Sequence, residues 1–194
     1  MIAPDLLVAS QDYVNWDGWA YDQFLGELVD SEGMSPIDLA TSINRTFWRS
    51  GDSTISTIDL SNLSNFNAQL NLLSEEILAT DVPSIIPIAS QTYSPDGYEG
   101  QDHDLFGILN ILSNSGQTAT IREQATNLLT KKDTLVLDNF TGDWIEGAHG
   151  LSIHAPPSTD WDLDEIYLTA TWSLDTLWDD VLTKELQQNS TYAD

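Results

Sequence analysis

LLVASQDYVNWDGWAY, residues 6–21, sets a short apolar run against a loop crowded with polar and aromatic groups. Leu6, Leu7 and Val8 read as a buried strand. Ser10, Gln11, Asp12, Tyr13, Asn15, Trp16, Asp17, Gly18 and Trp19 follow at the strand's carboxyl end, where open α/β sheets place their ligands. Gly18 permits a tight backbone there, and helical spacing resumes at Trp19. Residue types alone leave two readings open: an ordinary strand-to-helix connection with two surface indoles, or a loop that binds something.

Moving outward, Trp19, Phe24, Leu25, Leu28 and Val29 fall at helical spacing, and the segment ends near Gly33. Ser35 is a good N-cap with Pro36 in the first turn of a second helix, whose apolar stripe runs through Ile37, Ala40, Ile43 and Phe47 until Gly51. Thr54 to Leu60 is rich in β-branched residues and reads as a strand or extended connection. A long helix begins at Ser61 and runs to about Asp81, with Leu63, Phe66, Leu70, Leu73, Ile77 and Leu78 on one face. Pro83 and Pro87 interrupt the next segment, and Ser94-Pro95-Asp96-Gly97 is a turn sequence. Asp104 to Leu112 and Ala119 to Leu129 read as helices, Thr134 to Leu137 as a strand. Gly150 to His154 reads as another strand, stopped by Pro156 and Pro157, and Trp172, Leu177, Trp178, Val181 and Leu182 mark a closing helix. Few strands and many helices imply a small or incomplete sheet with helices packed over it.

Composition narrows the function classes. Thirty-one acidic residues against six basic ones give a formal charge of -25, which repels nucleic acid phosphates and anionic lipid surfaces. The reading is therefore no nucleic acid and no membrane as partners. Such an excess suits a salt-adapted protein, or one that meets cationic peptides or divalent cations. No cysteine is present, so this chain holds no disulfide, thiol nucleophile or thiolate metal site. No apolar run approaches the roughly 20 residues of a membrane helix, and MIAPDLLVAS lacks the basic start and long apolar stretch of a signal peptide. The chain reads as soluble, either cytoplasmic or secreted as part of a longer precursor.

Four segments then come together. Ser10-Gln11 precedes Gly18-Trp19-Ala20-Tyr21; Ser56-Thr57-Ile58-Asp59-Leu60 precedes the long helix; Gly150 to Pro156 forms a late strand; and TWSLDTLWDDVL closes the chain. In this order they resemble the clostripain family of cysteine peptidases. The resemblance implies a caspase-like α/β fold, a partial sheet with surrounding helices and a helix-rich C-terminal part. Residues 1–194 would form a single domain, the C-terminal portion of such a peptidase, with the strands near Leu6 and Gly150 in one sheet. The sequence departs from the family in the Asn15-Trp16-Asp17 that stands where a proline-glycine is usual.

The resemblance also carries expectations about chemistry. The family's catalytic His and Cys lie on a segment upstream of the opening strand, which would be a partner here. His103, His149 and His154 fall too late to be that histidine, so no catalytic residue is assigned and the chain alone is expected to be inactive. Ser10, Asp12, Asp17, Gly18 and Trp19 would form one wall of the pocket for the side chain before the scissile bond, with Arg or Lys preferred. Asp12 or Asp17 would hold the cation, and Trp16 or Trp19 would stack on it. Calcium is the cofactor the resemblance raises, without a ligand set from spacing. Two functions are implied: the pocket-contributing part of an endopeptidase acting on basic peptides, or a non-catalytic relative that binds a peptide or protein. No GxSxG elbow offers a serine alternative. Asp102-His103-Asp104 reads as a solvated turn capping the next helix, His154 as a hydrogen-bonded structural histidine, and His149 as a loop residue.

Overall fold

The opening run pairs with the β-branched segment near residue 54 to build a sheet. The computed structural model describes residues 5–12, 14, 18–47, 53–80, 84–95, 100–114, 116–156, 163 and 165–190. They fall into two compact units, 1–63 with 133–151 and 64–132 with 152–194.

In the first unit β2 (Thr54–Asp59) lies between β1 (Leu6–Ala9) and β4 (Val136–Thr141), antiparallel to both. Ala9 faces Ser56, and Ser56 in turn faces Asn139. The central strand buries its first five side chains, hydroxyls included. β1 does not have the buried environment its Leu-Leu-Val suggests, since Leu7 is 46% exposed. It is an outer strand of an antiparallel sheet, where alternate side chains face solvent. Helix α1 (Tyr21–Asp30) starts two residues after Trp19, and α2 (Pro36–Thr46) packs against all three strands. Ser35 caps α2 as its sequence predicts: its hydroxyl accepts from the Asp38 amide at 3.2 Å, and the Asp38 carboxylate accepts in return from the Ser35 amide at 3.3 Å.

The second unit is mostly helical, in line with a helix-rich C-terminal part. After a 3-10 turn at Leu60–Asn62 the long helix α3 (Leu63–Ala79) buries Phe66, Leu70, Leu73 and Ile77 on one face. The short α4 (Ile85–Ala89) tolerates Pro87 because it sits in the first turn, where its missing N–H costs nothing. α5 (Leu105–Ser113) and α6 (Ala119–Thr130) pack together, and Phe66 meets the Phe106 ring edge-on at 6.1 Å. Beyond α7 (Lys132–Leu135) come α8 (Glu165–Leu168), α9 (Thr171–Asp175) and α10 (Trp178–Ser190). Adjacent residues of α10 close two other helices. The Lys184 ammonium donates to the Leu78 and Thr80 carbonyls, both at 2.8 Å, at the end of α3. The buried Glu185 carboxylate accepts from the Ser84 hydroxyl and from the Ile85 and Ile86 amides at the start of α4.

The strand read at Gly150–His154 differs from expectation. It is shorter, β5 (Ser152–His154), and it pairs with β3 (Asp102–Asp104) in a separate two-stranded sheet of the second unit. Gly150 causes the break, for its φ of +99° turns the chain out of extended geometry and its amide donates to Gln11.

Candidate functional site

The site read from the sequence begins where β1 ends, and the central strand holds its root. The buried Thr54 hydroxyl accepts from the Gln11 amide at 2.9 Å and shares a 2.8 Å hydrogen bond with the Ser10 hydroxyl. Ser10 in turn accepts from the Asp12 amide at 3.1 Å, so the chain turns straight after the strand. This arrangement brings Ser10 and Asp12 together and leaves the Asp12 side chain half-buried. A half-buried carboxylate at a fixed turn can accept hydrogen bonds from a cation more strongly than one in open water.

Gln11 connects this turn to a second loop. Its side-chain oxygen accepts from the Gly150 amide at 2.5 Å. Asn139 on β4 donates to the Ala148 carbonyl at 3.1 Å and accepts from the Ser56 hydroxyl at 3.0 Å. Four side chains, Gln11, Thr54, Ser56 and Asn139, thus fix the roots of both loops to one sheet. Sequence reading found Gln11 only as part of a motif and missed Asn139, which stands between Asp138 and Phe140 without a local pattern; its place opposite Ser56 comes from the strand pairing.

Further round the first loop, Gly18 has φ +68°, the left-handed turn expected of glycine. Trp19 is half-buried and meets the Phe47 ring edge-on at 5.6 Å. That contact holds the indole beside the residue that caps the C-terminal end of α2. Asp17, together with Tyr13, Asn15 and Trp16, lies outside the described residues.

In the second unit Asp102-His103-Asp104 is a strand rather than a solvated turn, and His103 and Asp104 are buried. The capping role holds: the Asp104 carboxylate accepts from the Gly107 amide at 2.6 Å. Burial pushes the His103 imidazole below its ordinary pKa against a 3.0 Å hydrogen bond with the Gly100 carbonyl, so the ring is neutral. His154 is a structural histidine, as read. Its Nδ1 lies 3.2 Å from Asp102, its ring lies against Tyr167 at 4.5 Å, and its carbonyl accepts from the Trp178 indole at 2.8 Å.

Among the described residues no three His, Asp or Glu side chains converge as a metal centre requires. The calcium raised by the resemblance therefore finds no ligand set there. Among the same residues no helix is long and apolar enough to cross a membrane.

Comparison with known proteins gives these geometries a context. The sequence model of the clostripain family matches residues 3–185. Among solved structures, an inactive zymogen C11 protease from Parabacteroides distasonis is 18% identical with a TM-score of 0.63, over 89% of this chain and 51% of its own. A clostripain from Bacteroides thetaiotaomicron ATCC 29148, solved with a peptide inhibitor, is 18% identical with a TM-score of 0.61, over 89% of this chain and 76% of its own. A cysteine protease of B. fragilis is 16% identical with a TM-score of 0.64, over 92% of this chain and 79% of its own. The likeness extends to the fold, and the chain spans about half the length of the first of these proteins. No functionally curated protein matches.

Proposed function

The chain belongs to the clostripain family, and on that premise we propose that it is the C-terminal, pocket-contributing part of an Arg- or Lys-directed cysteine endopeptidase, inactive by itself. Acyl transfer in such an enzyme needs a thiolate beside an imidazole. No cysteine occurs in the 194 residues, so the His-Cys pair comes from another segment. The outer edge of β1 suits its arrival, for among the described residues β1 pairs only with β2, and an open edge offers a row of backbone donors and acceptors.

One observation carries the pocket role: the Gln11–Gly150 hydrogen bond, which ties the turn bearing Ser10 and Asp12 to a second loop at the end of β1. A guanidinium entering there meets Asp12, and Asp17 follows in the same loop. The lack of any cysteine favours a second reading, a non-catalytic relative that binds basic peptides through this loop.

The test uses matched peptides with an internal Arg or Ala followed by further residues, with wild type, Asp12→Asn and Asp17→Asn. The chain alone hydrolyses neither. Mixed with a family segment that carries the His and Cys, wild type cleaves after Arg. One of the two variants loses about 1.5 to 3 kcal/mol of Arg recognition, the size of a charge-assisted hydrogen bond, with Ala barely changed. Calorimetric binding of the Arg peptide without cleavage in the mixture supports the second reading. Equal losses for both peptides, or none in either variant, make this loop a plain connection.

A further inference from the structure

Helix α1 covers only one edge of its apolar surface. Its five large apolar residues, Tyr21, Phe24, Leu25, Leu28 and Val29, fall within an arc of about 140° at 3.6 residues per turn. Phe24, at one end of the arc, is buried. The adjoining Glu27 carboxylate accepts from the Ser42 hydroxyl at 2.5 Å and pairs with Arg45, so α2 occupies that flank. The rest faces solvent: Tyr21 is 59% exposed, Leu25 46%, Leu28 38% and Val29 80%. A surface helix ordinarily turns this stripe to a core, and clustered apolar exposure marks an interaction site.

Charge identifies the occupant. The open end of the arc is bordered by Asp22, and α1 contains no Lys or Arg. Asp30 stands in the last turn, where the helix's own partial negative charge adds to its field, and Glu32 follows. A second copy of the chain would set these acids against themselves, with -25 on each molecule. An anionic bilayer is disfavoured for the same reason. We infer that the exposed face of α1 docks a basic amphipathic helix, one that presents apolar side chains at i, i+3, i+4 and i+7 with Lys or Arg on their flanks. The inference stands apart from the peptidase reading.

The probe is a leucine–lysine amphipathic helix, with a scrambled peptide of the same composition as control. Fluorescence anisotropy with the full chain shows the amphipathic peptide binding at least about tenfold more tightly than the scramble, and more weakly as salt rises. Leu25→Ser with Val29→Ser keeps every charge and removes two exposed side chains; it abolishes that tenfold preference, while unchanged circular dichroism and melting show the fold intact. Leu174→Ser, an equally exposed apolar residue on α9, leaves binding as it was. Equal affinity for peptide and scramble overturns the inference, since attraction is then charge alone. So does retained preference in the double variant. Sedimentation equilibrium that shows self-association lost in the double variant makes the occupant a second copy and likewise overturns it.

Discussion

Gly150 meets two demands that no other residue meets together. Its φ is +99°, and a Cβ built there would lie 2.8 Å from the Val136 side chain and 2.9 Å from the Ser56 hydroxyl. Gly150→Ala therefore strains the backbone and crowds the sheet, and costs about 2–4 kcal/mol by urea denaturation. A second residue-scale effect belongs to His103. Its pKa is lowered by burial, with backbone hydrogen bonds at Gly100 and Thr92 in opposition. Above the ordinary value of 6.5 the ring is neutral folded or unfolded and adds no slope. As pH falls from there towards the lowered folded value, the unfolded chain takes up a proton that the folded one refuses, so stability drops. Below the lowered value both states are charged and the loss is complete. His103→Gln removes this part of the loss, so the stability difference between pH 7 and pH 5 is smaller in the variant than in wild type.

Among the elements, α10 has consequences beyond its own length. Glu185→Ala leaves the Ile85 and Ile86 amides buried without their acceptor and costs about 2–4 kcal/mol. Lys184→Met removes only a cap on the end of α3 and costs about 1 kcal/mol, both measured by chemical denaturation. Neither role was legible in the sequence, because Lys and Glu on a helix near the end of a chain ordinarily read as solvated. Local pattern, by contrast, was legible: the Ser35 cap, the apolar face of α3, the glycine at residue 18. Pairing was less so. β3 is Asp-His-Asp, with no apolar periodicity to announce a strand, and β4 begins at Val136 and continues through Asp138 and Asn139 to Thr141, beyond the apolar residues that suggested it. At the candidate site, Ser10, Gln11 and Gly18 could be read from their own loop, whereas the Gln11–Gly150 contact joins positions far apart in the chain.

On the scale of the whole molecule, charge is the dominant quantity. A formal -25 on 194 residues is a source of self-repulsion, and added salt shortens its range from roughly 10 Å at 0.1 M to 3 Å at 1 M. Melting temperature therefore rises between low and molar sodium chloride; a flat or falling trend in a thermal scan removes salt adaptation as an explanation of the composition. The discontinuous make-up of the two units matters on another axis, time. The first has all its residues once Leu151 has been joined, whereas the second waits for Lys184 and Glu185 to close α3 and α4. At ~5–20 residues per second on the ribosome the interval between them is several seconds. During elongation α4 and the C-terminal end of α3 wait without their last helix, and a nascent chain arrested before Trp178 is cut by protease at α4 while β1, β2 and β4 resist. Synthesis order thus makes the second unit the one that calls on chaperones.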